Sequence, residues 1–253
     1  MRGMNLPRVR QFVAIVCALG IAVYVAACGS AARRVQLSVP SMDMPVSMTV
    51  RIPHDKNVFD LPLIVILDDG PPVDVTLTHP QRHTIDQFES ILLREGYPVW
   101  RPFRELWQKG DLTVHCPDRL VSWTLLGLRA ARDITQIDES KMIIIGFGQG
   151  GIVGLVSASR SAELTHAVAI VGTPARSIDV VLTSPALRDS VTRRRLLDTF
   201  GRIWANEYPD TAIVMHGEAQ CWRAWLQITK GILELVDAVP QPILAVQGTA
   251  DTL

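Results

Sequence analysis

The residues whose types and spacing could do chemistry lie mid-chain, where Ile143-Ile144-Ile145 runs into Gly146-Phe147-Gly148-Gln149-Gly150-Gly151. A short β-branched apolar run reads as a strand covered on both faces, and Ile152 to Ser159 continues as an apolar helix. The glycine-rich turn between them is either a close strand-helix crossing or a loop that cradles phosphate. Gly146, Gly148 and Gly151 match the G-x-G-x-x-G spacing of a dinucleotide site. Such a strand should open its domain and be followed, about 20 residues on, by an acid for the ribose. This one lies mid-chain, with Glu163 too early and Asp179 too late, so the fit is imperfect. Cys116 and Cys221 lack C-x-x-C spacing, so no zinc site or other metal centre is expected from them. In an oxidising compartment such a pair can form a disulfide, which the sequence leaves open because it does not give the Cα separation.

The turn also resembles the nucleophile elbow of the α/β-hydrolases, G-x-S-x-G, with Gly148 in the place of the serine. The resemblance runs roughly from Val35 to Asp251. It is closest to the serine aminopeptidase-like and acyl-esterase branch, often found as bacterial lipoproteins. Three signatures in order carry it: the strand and loop at Leu61 to Gly70, the elbow, and Pro242-Ile243-Leu244-Ala245-Val246-Gln247-Gly248-Thr249-Ala250-Asp251. Tyr97 to Pro102 is similar to the family's G-Y-x-V-x-R segment and reads as an edge-like strand. The resemblance implies a mostly parallel, doubly wound α/β sheet with a helical lid insertion at about 173–206. An active relative cleaves an ester or amide by serine attack, histidine proton transfer and two backbone amides for the oxyanion. Carried over, those roles fall on Gly148 for the nucleophile position, Gly70 and Gln149 for the oxyanion hole, and Asp251 for the acid. No cofactor is implied.

Three departures accompany the resemblance. Gly148 has no atom that can attack a carbonyl. Asp68-Asp69 stands where His-Gly is expected; the pair reads as a solvent-facing turn cap. None of His54, His79, His83, His115, His166 and His216 follows Asp251, so the last strand and helix, with the family's histidine, are expected beyond Leu253. That would leave Pro242 to Gly248 as an exposed sheet edge. His115 reads as a loop residue.

Residues 1–28 have the anatomy of a signal peptide: Arg2, Arg8 and Arg10, the apolar run Phe12 to Tyr24, then Val25-Ala26-Ala27-Cys28. The ending resembles a bacterial lipobox, which makes Cys28 the expected lipidation site and membrane anchor of an extracytoplasmic protein. An uncleaved anchor or an ordinary signal peptide remains open, although the run is short for a spanning helix. Residues 29–253 are expected to form one hydrolase-type domain, a length sufficient for a substantial core. Lys plus Arg and Asp plus Glu are both 25, which argues against nucleic acid as a partner.

The remaining elements follow from pattern. Arg33 to Pro53 alternates as two antiparallel strands. Ile85 to Glu95, Leu120 to Arg132 and Glu218 to Leu235 have helical spacing, with Trp222, Trp225 and Leu226 as core residues of the last. Arg193-Arg194-Arg195 reads as a solvated helix face or a contact for anionic lipid headgroups. Three functions are consistent with this. The first is a surface-tethered hydrolase scaffold that has lost its nucleophile. The second is an active ester or peptide hydrolase whose native form carries serine at 148 and a downstream histidine. The third is a binding or structural lipoprotein; a ligand would be a small acyl or peptidyl group. The oligomeric state is not legible.

Overall fold

Alternation at Arg33–Val39 (β1) and Val46–Ile52 (β2) produces an antiparallel pair in register from Arg33 opposite Ile52 to Val39 opposite Val46. In this computed structural model the described residues are 32–39, 46–53, 61–68, 80–102, 116–134, 137–138, 141–161, 165–171, 190–215 and 217–246. The later strands are β3 (Leu63–Leu67), β4 (Val99–Trp100), β5 (Met142–Phe147), β6 (Ala167–Val171) and, after a two-stranded hairpin described below, β9 (Ile243–Val246). They join the pair in a seven-stranded sheet of order β1-β2-β4-β3-β5-β6-β9. β2 meets β4 antiparallel; from β4 through β3, β5 and β6 to β9 every neighbour is parallel.

The period of two assigns the strand side chains to two layers. Leu63, Val65 and Leu67 of β3, with Met142 and Ile144 of β5, pack against α2 (Pro117–Ala131) and α3 (Gln149–Arg160). Ile64 and Ile66, with Ile143, Ile145 and Phe147, face α1 (Pro80–Glu95) through Ile85, Phe88 and Leu93. All five residues of β3 are buried, as a strand covered on both faces requires. Burying each such Leu, Ile or Val contributes about 1.5–3 kcal/mol, so this central strand and its two helical layers carry much of the stability. α1 stops at Gly96, whose φ of 99° suits a helix C-terminus that only glycine enters at little cost.

Tyr97 to Pro102 is not at an edge. β4 lies between β2 and β3, and Pro98 is tolerated there because it precedes the strand and needs no donor, while its carbonyl accepts from Ile64 N at 2.9 Å. The expected lid range is described only from residue 190 onward, as α4 (Ser190–Trp204) and the turn after it. α4 packs with the hairpin β7 (Ile213–Val214) and β8 (Gly217–Glu218) and with α5 (Ala219–Lys230) around Phe200, Ile203, Val214 and Leu226. Trp222 closes this small core, donating from Nε1 to Val214 O at 2.8 Å and lying edge-on to Phe200. The helix expected to run to Leu235 breaks at Gly231 into α5 and α6 (Ile232–Asp237). Cys116 and Cys221 are joined as a disulfide, Cα atoms 4.4 Å apart, which ties the start of α2 to the first turn of α5. Among the described residues β9 ends the sheet, with Leu244 and Val246 exposed. No helix among them is long and apolar enough to cross a membrane.

Candidate functional site

The candidate site is the crossing from β5 into α3, at the carboxyl ends of the parallel strands where ligands bind in open α/β sheets. Gly148 is its apex. It has φ 50° and ψ −117°, a backbone conformation that residues with a Cβ adopt only under strain. Its N–H donates to Val171 O of β6 at 3.1 Å, and its carbonyl accepts from Gly151 N at 3.0 Å, so the turn is fixed from both sides.

The flanking glycines allow close approach. A Cβ on Gly146 would lie 2.4 Å from Gly151 Cα, and one on Gly150 would lie 2.2 Å from Leu67 O and 2.6 Å from Asp68 O. The start of α3 is therefore pressed onto both β5 and the end of β3. Gln149, the residue after the apex, is half-buried at the first turn of α3, where helix amides have no partner within the helix.

Beside this crossing lies an ionic cluster. Continuing the alternation of β3, Asp68 falls on the α1 side of the sheet, as do Arg51 of β2 and Arg101 after β4. Asp86 and Glu89 of α1 meet them there. Arg101 Nε donates to both carboxylate oxygens of Asp68 at 2.7 and 2.8 Å, and its Nη1 reaches Asp86 and, at 3.3 Å, Glu89. Arg51 pairs with the other oxygen of Glu89 at 3.1 Å. Three carboxyl groups thus face two guanidinium groups. Asp68 is 4% exposed, which overturns its reading as a solvent-facing cap. Burial pushes its pKa from 3.8 up to about 6, with the Arg101 hydrogen bond and charge pulling it part of the way back. Burial alone would lower the pKa of Arg101; its bonds to Asp68 and Asp86 more than offset this and raise it.

With this geometry in view, solved structures are similar to the chain. Est1E from Butyrivibrio proteoclasticus aligns with a TM-score of 0.55 and 16% identity over 84% of this chain and 77% of its own. A 2,6-dihydroxy-pseudo-oxynicotine hydrolase aligns at 0.52 and 14% over 86% of this chain and 53% of its own. A Mycobacterium tuberculosis puromycin-hydrolyzing peptidase aligns at 0.51 and 15% over 86% of this chain and 31% of its own. This chain thus spans about half and about a third of the latter two. The chain has the α/β-hydrolase fold. No protein-family model and no curated protein sequence matches it.

On this α/β-hydrolase fold, Gly148 and Gln149 stand at the crossing from β5 into α3. Gly70, Asp69, Asp251 and Cys28 lie outside the described residues, as do His54, His79, His115 and His216. His166 lies at the far end of the sheet: its Nδ1 accepts from Met142 N at 3.1 Å, six strand residues or about 20 Å from Gly148. It serves the backbone there and not the elbow. The Arg101 cluster is what sequence reasoning missed. Its trace was polar residues at inward strand positions, Arg51 and Arg101, with Asp86 and Glu89 three apart on one helix face.

Proposed function

We propose that this is a surface-tethered protein of α/β-hydrolase fold derived from a serine ester or peptide hydrolase, and that as it stands it does not run the acyl-enzyme cycle. The observation that carries the reading is Gly148: the turn keeps at its apex a backbone of φ 50° and ψ −117°, which would strain any residue with a Cβ, and presents no nucleophile. In an active relative the strain lifts a serine above the sheet. A glycine adopts the same backbone at little cost, so the geometry persists while the chemistry does not. The similar structures titled as an esterase, a hydrolase and a peptidase support the ancestry. The lipobox-like ending at Cys28 supports the tether, with the domain outside the cytoplasm.

The closest competing reading is an active ester or peptide hydrolase whose native form has serine at 148 and a downstream histidine. A third is a lipoprotein that binds a small acyl or peptidyl group at the elbow crevice without cleaving it. A fluorophosphonate probe tests whether the chain as it stands carries a nucleophile. The chain as it stands is expected to show no mass increase on the intact protein. A Gly148→Ser variant supplied with the histidine-bearing segment of an active relative is expected to gain one adduct, on Ser at 148. An adduct on the unaltered chain would place a nucleophile elsewhere and sink the proposal. For the tether, a palmitate analogue should label the wild type and not Cys28→Ala; equal labelling would refute it.

A further inference from the structure

Away from the elbow, Cys116, Glu218 and Cys221 bring their ligand atoms within 4.8 Å of one another. We propose that this junction is a redox-gated site for a soft divalent cation of the zinc class: a disulfide when oxidised, two thiolates and a carboxylate around the ion when reduced.

The placement follows from two helix starts. Cys116 is the N-cap of α2, with Pro117 as the first helical residue, and Cys221 lies in the first turn of α5, whose N-cap is Glu218. Both cysteines thus sit at the amino end of a helix; the first two amides of α5, of Ala219 and Gln220, donate to Ala212 O and Asp210 O, so what reaches the sulfurs there is the helix field. The positive end of a helix favours thiolate over thiol, and the thiolate is the form that ligates metal. Glu218 Oε2 lies 4.0 Å from Cys221 Sγ and accepts from Gln220 Nε2 at 2.5 Å, a second contact that orients the carboxylate as outer partners orient metal ligands.

Once the disulfide opens, three anionic groups crowd this space and repel one another. A divalent cation reverses that balance. Two thiolates and one carboxylate leave a fourth position for water, the ligand number of an open zinc site. Tetrahedral zinc at about 2.3 Å from each sulfur sets the sulfurs about 3.8 Å apart. Rotation about the Cα–Cβ bonds supplies much of that separation. Cys221 is 1% exposed while Cys116 is half-buried, so reductant and ion reach the pair from the Cys116 side.

The step balances with a thiol or phosphine reductant. Two electrons break the S–S bond, each sulfur takes a proton, the reductant leaves oxidised, and the ion then displaces both protons to solvent. Either state holds α2 against α5, so the α4–α5 unit stays docked in an oxidising or a reducing compartment.

The test uses the full chain, reduced with a phosphine under anaerobic conditions and titrated with Zn²⁺ against a chromogenic chelator, and with Co²⁺ for the thiolate-to-metal band. One equivalent should bind the reduced chain and none the oxidised chain. Glu218→Gln should bind at least tenfold more weakly and keep the band, and Cys116→Ser with Cys221→Ser should abolish both. The proposal is overturned if the reduced chain takes up no equivalent, or if the double serine variant binds as well as the wild type. If reduction unfolds the chain, recovery of its circular dichroism on adding Zn²⁺ supports the site, and failure to recover overturns it.

Discussion

Asp68→Asn isolates the balance between burial and pairing in the Arg101 cluster. In the folded chain the Asp68 carboxyl has a pKa raised from 3.8 to about 6, chiefly by burial. A carboxyl that holds its proton more tightly when folded stabilises the fold most below its unfolded pKa, and that contribution falls as pH rises through the folded value. At about 1.36 kcal/mol per tenfold change in proton affinity, the full contribution is about 3 kcal/mol, of which about 2 kcal/mol is lost between pH 4 and pH 6. Asparagine keeps the shape and one acceptor for Arg101 but does not titrate. The groups facing this position, Arg51, Asp86, Glu89 and Arg101, are common to both proteins. Urea unfolding of both proteins at pH 4, 5, 6 and 7 should show Asp68→Asn gaining on the wild type by about 2 kcal/mol from pH 4 to 6, then levelling toward pH 7. A flat difference, or wild type gaining as pH rises, would mean that Arg101 outweighs burial and would refute the reasoning.

Other expectations follow from close contacts and covalent ties. Gly150→Ala sets a Cβ against Leu67 O at 2.2 Å, where backbone must move, and should lower stability by at least about 1–3 kcal/mol, whereas Gly201→Ala in α4 has nothing within 4 Å and should raise it by up to about 1 kcal/mol; thermal unfolding decides both. Gly148→Ser should cost about 1–3 kcal/mol in urea, because serine must adopt a φ of 50°; no loss would show that the turn relaxes. Reducing the disulfide, which spans 105 residues, should remove about 2–5 kcal/mol in the absence of added metal, read as a lower urea midpoint.

Elements whose signal is local could be read from the chain. The alternation of β1 and β2, the apolar runs of β3 and β5 and the spacing of α1, α2 and α3 are set by short-range pattern and by burial on one or both faces. The tight crossing from β5 into α3 was legible because glycines at 146, 148, 150 and 151 are what such a crossing demands. What escaped depends on partners distant in sequence. Asp68 reads as a turn residue beside Asp69 and Gly70, and the partner that offsets the cost of its burial, Arg101, lies 33 positions on. Pro98 and Pro102 made β4 look like an edge, though a proline before a strand costs no ladder bond. The hairpin of β7 and β8 has two residues per strand, too few for a period, and exists because Trp222 and Ile203 pack around it.

The central claim is that the elbow persists without its nucleophile, and turnover of a short-chain nitrophenyl ester by the unaltered chain tests it most directly. Losing the nucleophile of a triad costs about 10⁶-fold in turnover. The account predicts release of nitrophenol at the rate of buffer alone, with no burst. Saturable turnover with a burst, abolished by changing a residue other than Gly148, would contradict it and place the chemistry elsewhere.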